Sequence, residues 1–240
     1  MRVHSTALWL PKDGNTADEY EDAVYPDRAA ANTDATEFKC AVADGATETS
    51  FANLWAKLLV CGYAEDFDLE RMRQEWNDQV HGKELPWYAE QKVVSGAFAA
   101  LVGLTISDDG RWQSQAIGDS CLLQVRDRNI LFSFPMILAE SFNNSPYLLS
   151  TADTKFGDEL PEKKDGEWKK GDIFLLMTDA ISHWTIKRQE DHHDAWQWIE
   201  RLTDQEAFLA FVELERRTLD PEGRPILRND DVTLLRVDML

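Results

Sequence analysis

The sequence predicts an α+β fold, in which antiparallel strands and helices form separate groups along the chain. Two observations predict it. Several short apolar runs follow one another with only tight turns between them, as antiparallel hairpins do. Helical patterns stand between groups of strands instead of alternating with single strands, which argues against repeated βαβ units. No linker rich in glycine, serine or proline divides the 240 residues, so we expect a single domain over residues 1–240.

The N-terminal segment is predicted to contain two strands, over residues 3–10 and 38–42. The stretch between them, residues 13–36, is polar and irregular. The second strand leads directly into Asp44 and Gly45.

A helix follows, because apolar residues recur at i, i+3, i+4, i+7 and i+8 and so share one helical face: Phe51, Leu54, Trp55, Leu58 and Leu59. Thr49 or Ser50 is its expected N-cap. Two more helices are predicted, over residues 69–80 and near 87–93.

The pattern then changes to a predicted meander of four antiparallel strands over residues 98–106, 112–117, 121–125 and 130–134. Residues 139–170 are polar and charged, which indicates an irregular surface excursion. The remaining elements are predicted to be a buried strand, two helices and a closing strand, over residues 173–177, 194–201, 204–218 and 232–237.

Acidic residues outnumber basic residues by 44 to 25, and the net charge of −19 repels nucleic acid and anionic membrane surfaces. We therefore expect neither as a partner. The N-terminus lacks a signal-peptide pattern, and no run approaches the ~20 apolar residues of a membrane span. Cys40, Cys61 and Cys121 have neither zinc nor disulfide spacing and are expected to be buried, which fits a reducing compartment. These features favour a cytoplasmic protein.

Four aspartates, Asp44, Asp119, Asp179 and Asp230, stand directly beside predicted strands. Aspartate is disfavoured in strands, and any one of the four is explained by a turn or a helix cap. Four together indicate more, since neighbouring strand ends would gather the carboxylates at one edge of a sheet. Such a cluster repels itself unless cations neutralise it, so the pattern suggests a site for hard metal ions.

Five short sequence words occur in order: Glu21-Asp22-Ala23, Val42-Ala43-Asp44-Gly45-Ala46, Gly118-Asp119-Ser120, Leu176-Met177-Thr178-Asp179-Ala180 and Asp230-Asp231-Val232-Thr233. Each word alone is a weak signal. The ordered set resembles the motifs of the protein phosphatase 2C family, the metal-dependent serine/threonine phosphatases. It spans residues 21–233, nearly the whole chain.

The resemblance implies a four-layer α-β-β-α sandwich, with two antiparallel sheets between outer helices. It also implies that Asp44 bridges two metal ions and that the Gly45 carbonyl binds one of them. Asp179 and Asp230 would hold the other ion, and Glu21 and Asp22 would act mainly through metal-bound water. Asp119, with Asp179, would contribute to a third, weaker site.

The implied reaction is hydrolysis of phosphoserine or phosphothreonine in a protein substrate. Two Mg²⁺ or Mn²⁺ ions roughly 3.5–4 Å apart activate a water and clamp the phosphoryl oxygens, so no protein nucleophile is needed. Asp44, Asp179 and Asp230 are thus the predicted catalytic residues. Any regulatory partner is unknown.

The chain departs from the family pattern at three places. Ala17 stands where the family has an arginine that grips the phosphate, and the alternative donors are Lys12 and Arg2. Ala180 and the run Ala46-Thr47-Glu48 replace residues that include glycines in the family. These departures resemble a divergent bacterial-type branch.

The departures leave two alternatives open: a phosphatase-like binding module with little or no turnover, and a metal-dependent hydrolase of a small phosphate ester or nucleotide. Three histidines offer rival sites. His183 follows Asp179 closely but is expected to be a packing residue, and His192-His193 is expected to lie in a polar loop or at a helix start.

Overall fold

The computed structural model describes residues 1–28, 30–46, 51–65, 67–81, 96–142, 146–152 and 161–240. Within these ranges the strands are β1 (Arg2–Leu10), β2 (Ala23–Tyr25), β3 (Ala31–Asp34), β4 (Glu37–Gly45), β5 (Phe98–Ser107), β6 (Arg111–Ile117), β7 (Cys121–Arg126), β8 (Asn129–Phe134), β9 (Leu149–Ser150), β10 (Glu162–Glu167), β11 (Ile173–Met177) and β12 (Val232–Met239). The α-helices are α1 (Ala52–Ala64), α2 (Leu69–His81), α3 (Asp179–Glu190), α4 (Trp196–Ile199) and α5 (Gln205–Arg217).

The strands form two sheets in which neighbouring strands are antiparallel. The first sheet has the order β3-β1-β12-β11-β7-β8. The second has the order β10-β6-β5-β4-β2, and β9 pairs with β5. Both sheets have non-consecutive neighbours, so residues far apart in sequence, such as Val3 and Met239, lie side by side.

Three hydrophobic clusters separate four layers. Along β11 the side chains alternate, as in any strand: Phe174 and Leu176 point into a cluster between the two sheets, whereas Leu175 and Met177 point toward α3. The outer clusters are formed by α3, α4 and α5 on the first sheet and by α1 and α2 on the second. The predicted α-β-β-α sandwich of two antiparallel sheets is therefore confirmed.

The predicted meander over residues 98–134 is divided between the two sheets. β5 and β6 form a hairpin in the second sheet, and β7 and β8 form one in the first. Gly118 makes the crossing with φ of +91°, a backbone conformation that favours glycine. A side chain there would also meet Ala100, since an added Cβ would lie 2.5 Å from the Ala100 Cβ. This crossing carries Asp119 from one sheet toward the other.

Several segments differ from the sequence prediction. Residues 13–36 were expected to be irregular but contain β2 and β3. Residues 139–170 were also expected to be irregular but contain β9 and β10. The helix α3 was not predicted. β10 was missed because it is a charged strand, Glu-Lys-Lys-Asp-Gly-Glu, which among the described strands pairs with β6 alone. The expected helix near residues 87–93 and the expected caps Thr49 and Ser50 lie outside the described residues.

The cysteine prediction is partly wrong. Cys40 and Cys121 are buried as expected, but Cys61 is exposed on α1. Burial raises the pKa of the Cys121 thiol to about 12 and also raises that of Cys61. Both thiols therefore stay protonated at neutral pH. None of the described helices combines the length and the apolar composition that a transmembrane helix requires.

Asp172 links β7 to the start of β11 through a buried ion pair. Its carboxylate accepts two hydrogen bonds of 2.6 Å from Arg126 and one of 2.8 Å from Gln124, and its side chain is 1% exposed. Burial opposes ionisation, but the Arg126, Lys169 and Gln124 donors outweigh it, and the pKa of Asp172 is lowered.

We expect Asp172→Ala to lower the free energy of unfolding by about 3 kcal/mol, because it removes the buried carboxylate with which the partly buried Arg126 guanidinium is paired. Urea unfolding followed by circular dichroism measures the change. Asp165→Ala, at an exposed position of β10, is the matched control and should change stability by less than about 0.5 kcal/mol. Equal effects of the two substitutions would contradict the assignment.

Candidate metal centre

The second sheet supplies two of the predicted aspartates. Asp44 lies in β4, opposite Ala100 of β5. Asp22 directly precedes β2, and the pairing of Ala23 with Ala43 places it beside Asp44. Asp22 is 1% exposed.

The first sheet and the crossing supply the others. Asp179 begins α3 directly after β11, and Asp230 precedes β12 by two residues. β11 and β12 are neighbours, and the Thr178 amide donates to the Thr233 carbonyl at 3.1 Å. Asp119 reaches the same edge from the crossing, since Cys121 pairs with Met177. One edge of the sandwich thus receives carboxylates from both sheets.

The carboxylates at this edge raise one another's pKa values. The pKa of Asp44 is raised well above its usual range, first by desolvation and then by the negative charges of four other aspartates: Asp22, Asp179, Asp119 and Asp230. Repulsion between like charges falls with distance and is strongest where water is scarce. Together with the strand pairings, it places the five predicted aspartates in one cluster at this edge.

The other members of the cluster are perturbed in the same direction. Desolvation followed by the Asp179 charge raises the pKa of Asp119 to about 7. Desolvation also raises the pKa of Asp22, where a hydrogen bond from Thr233 partly offsets it, and that of Asp179, where Arg228 partly offsets it. The cluster therefore holds negative charge at a high energetic cost, which divalent cations would remove.

Two residues without a predicted role organise the cluster. The Thr233 hydroxyl donates to Asp22 Oδ2 at 2.7 Å and also contacts the Tyr20 hydroxyl. Asp231 accepts the backbone amides of Lys12 at 2.8 Å and Glu21 at 2.6 Å, so it ties the end of β1 and the segment before β2 to β12. The second aspartate of the Asp230-Asp231 pair was the sequence signal for this tie.

Arg228 is a site residue that the sequence analysis missed. Its Nη2 donates to Asp179 Oδ2 at 2.8 Å. The side chains of Arg228 and Asp179 are 39% and 14% exposed, respectively. An arginine in a polar loop gives no local signal, so only the folded arrangement identifies it.

Gly45 lies at a close approach of two backbone segments. A Cβ at Gly45 would be 2.6 Å from the Glu21 carbonyl oxygen and 3.1 Å from the Ala52 carbonyl carbon. Only glycine fits there, which leaves its backbone beside Glu21 and Asp44. Ala180, the family's glycine position, lies in the first turn of α3 without positive φ, so the alanine is unstrained.

The position of the missing phosphate-gripping arginine, Ala17, is exposed on a single-turn 3₁₀ helix, Ala17–Glu19. Lys12 lies near it, because its charge acts on Glu19 of the same 3₁₀ helix. The pKa of Glu19 is lowered first by hydrogen bonds from Thr16 and less strongly by the Lys12 ammonium. Arg2 is wrong as a substitute. It pairs with Asp34 at the opposite end of β1, about 26 Å from Leu10 along the strand.

The histidines form no second site among the described residues. His183 packs edge-to-face on Phe142 with ring centroids 5.5 Å apart, and burial and then Arg228 lower its pKa. His192 and His193 are exposed in the turn after α3, where His192 has a φ of +59°. Both observations agree with packing and loop roles.

The chemistry of the cluster fits hard divalent cations. Its donors are carboxylate oxygens, which Mg²⁺ and Mn²⁺ prefer. Asp179 Oδ1 is buried and has no hydrogen-bond partner among the described residues, as expected for an oxygen available to a cation. The coordination shell is not complete as it stands: within the described ranges, no group of three or more histidine, cysteine, aspartate or glutamate residues is arranged to hold a metal ion.

No family model matches this chain, and no curated protein matches its sequence. Solved structures do match. The catalytic domain of the serine/threonine protein phosphatase PstP, in complex with two manganese ions, aligns over 99% of both chains with a TM-score of 0.61 and 18% identity.

Two further structures agree. The photosystem II phosphatase PBCP aligns over 99% of both chains, with a TM-score of 0.57 and 14% identity. PppA, a regulatory component of T6SS in Pseudomonas aeruginosa, aligns over the full length of both, with a TM-score of 0.53 and 16% identity. At these identities the likeness establishes the fold, which is that of the protein phosphatase 2C type.

Proposed function

We propose that this chain, which has the fold of protein phosphatase 2C-type enzymes, is a metal-dependent phosphoprotein phosphatase that hydrolyses phosphoserine and phosphothreonine. The observation that carries the proposal is the convergence of Asp22, Asp44, Asp119, Asp179 and Asp230 at one edge of the sandwich. A structural role alone does not explain it, because five mutually repelling carboxylates destabilise the folded chain.

The proposed cofactors are two Mn²⁺ or Mg²⁺ ions. When bound, such a pair acidifies a water molecule and neutralises charge on the phosphoryl group. Asp44 would contact both ions from β4, and the Gly45 carbonyl one of them. Asp179 and Asp230 would hold the other ion from the first sheet. The manganese-bound PstP structure supports this choice of metal.

The protein supplies positioning around these ligands. Thr233 donates to Asp22, so its hydroxyl orients the Asp22 carboxylate and lowers its tendency to protonate. The Asp231 carboxylate accepts the backbone amide of Glu21 and so fixes the Glu21 backbone, which limits where the Glu21 side chain can reach. Lys12 remains the proposed phosphate donor, since its backbone is held by the same Asp231. The proposed substrate is a phosphorylated protein in the cytoplasm.

The proposal predicts Mn²⁺-dependent hydrolysis of an aryl phosphate and of phosphoserine or phosphothreonine peptides, abolished by a chelator. Phosphate release measured with and without Mn²⁺ and EDTA tests it, and a panel that adds nucleotides and sugar phosphates identifies the substrate class. Restoring activity by adding Mn²⁺ back after EDTA is the control for irreversible damage. Binding of Mn²⁺ and phosphopeptide without any turnover would contradict the proposal and favour the silent binding module.

A further inference from the structure

Arg228 places a permanent positive charge inside the carboxylate cluster. Its Nη2 donates to Asp179 Oδ2 at 2.8 Å, and its Nε is buried without a hydrogen-bond partner among the described residues. An arginine is always protonated in proteins, so this charge does not depend on pH. The guanidinium therefore pairs with Asp179 Oδ2 through a charge that is present at every pH.

The loop before β12 holds Arg228 in place on both sides. Leu227 is fully buried, and its amide donates to the Glu215 carbonyl at 3.3 Å. On the other side, the Asp230 amide donates to the Arg228 carbonyl at 3.1 Å, and Arg216 donates to the Asp230 carbonyl. The backbone of Arg228 is thus anchored on either side, so its side chain is directed at the cluster.

The positive charge lies at one end of the cluster, where Arg228 pairs with Asp179 at 2.8 Å. Arg228 lowers the pKa of both Asp179 and Asp119, against the stronger effect of desolvation. The charges that act most strongly on Asp22 and Asp44 are all carboxylates. The Asp119–Asp179 end of the cluster therefore has a guanidinium beside it, whereas the charges that dominate at Asp22 and Asp44 are negative.

We propose that Arg228 is the resident cation of the Asp119–Asp179 end and limits the cluster to two divalent cations. This inference rests on the proposed function. A divalent cation between Asp119 and Asp179 would need the Asp179 oxygen that Arg228 occupies and would be repelled by the guanidinium. Asp179 Oδ1, which is buried and has no hydrogen-bond partner in the part of the chain that the structure describes, stays available to the two-metal site. The third ion implied by the family resemblance is thus replaced by a side chain.

The experiment counts bound Mn²⁺ by equilibrium dialysis and isothermal titration on the full chain. The wild type is expected to bind two ions. Arg228→Ser, which removes the guanidinium, is expected to bind a third ion more weakly than the first two. Arg228→Lys keeps the charge and should remain at two. Arg224→Ser removes an exposed arginine from the same connection between α5 and β12 and should also remain at two.

The outcomes separate the two proposals. A wild type that binds fewer than two ions contradicts the proposed function and, with it, this inference. A wild type that binds three ions, or a folded Arg228→Ser that still binds two, overturns the inference alone. Circular dichroism establishes that each variant is folded. If Arg228→Ser keeps two ions and raises only the KM for a phosphopeptide, Arg228 is a substrate-binding residue instead.

Discussion

Replacing Asp44 with asparagine is expected to lower Mn²⁺-dependent hydrolysis by about 10³-fold and, with EDTA present, to raise the stability of the fold. The loss of rate follows from the central position of Asp44, the residue proposed to contact both ions. Removing its charge would forfeit several kcal/mol of transition-state stabilisation, and about 4 kcal/mol corresponds to this factor.

Stability is expected to rise although activity falls, because Asp44 lies among other carboxylates that repel it. Desolvation and four neighbouring aspartates raise its pKa well above the usual range. A neutral side chain of the same shape removes this repulsion, so we expect stabilisation of roughly 1 kcal/mol or more, or an increase of about 3 °C in Tm.

Steady-state kinetics with Mn²⁺ and thermal unfolding in EDTA near neutral pH test both effects on the same preparation. Asp18→Asn makes the same change of charge at an exposed position near Glu21 and should alter neither quantity. A variant that is both inactive and less stable than the wild type in EDTA would show that Asp44 is a structural residue. Full activity of Asp44→Asn would remove it from the catalytic group.

The positions of the aspartates were predictable from sequence because the signal is local. A carboxylate directly beside an apolar run, such as Asp179 after Ile173–Met177, is unusual in any strand and is visible without knowledge of the fold. The order of the strands is not local. The turn at 108–110 and the crossing at 118–120 have similar composition, yet one joins neighbours and the other changes sheets.

Elements whose sequences lack a clear periodicity were also missed. α3 is buried on more than one side, with Ile181, Trp184, Thr185 and Ile186 all in the interior, so it shows no polar face from which a helix could be predicted. The Arg228–Asp179 hydrogen bond joins residues 49 positions apart in the sequence, and the Thr233–Asp22 hydrogen bond joins residues 211 positions apart. Such contacts are set by tertiary structure, and no spacing rule in the sequence indicates them.

Adding Mn²⁺ is expected to raise the Tm by about 10–20 °C near pH 7.5, relative to EDTA, and by much less near pH 5. At 100 times the dissociation constant each site contributes ~2.7 kcal/mol. Two sites therefore stabilise the fold by about 5 kcal/mol. In a chain of this length, each kcal/mol raises the Tm by about 2–4 °C. Differential scanning fluorimetry across this pH range measures both values.

The pH dependence follows from the direction of the pKa shifts. The pKa values of Asp22, Asp44, Asp119 and Asp179 are raised in the folded chain, and that of Asp119 reaches about 7. The folded chain therefore holds more protons than the unfolded chain between the ordinary carboxyl pKa and about pH 7. In EDTA these groups favour folding at low pH, and this contribution is lost as the pH rises through that window.

Mn²⁺ and protons compete for the same carboxylate oxygens, so the stabilisation by Mn²⁺ increases as the pH rises and the carboxyl groups lose their protons. Asp172, whose pKa is lowered, acts below this window and equally with and without Mn²⁺, so it cancels in the difference. Asp44→Asn is the matched variant and should lose much of the stabilisation by Mn²⁺ at every pH. An unchanged Tm with Mn²⁺, or an equal increase in Asp44→Asn, would mean that the ions bind elsewhere and that the clustered carboxylates are not their ligands.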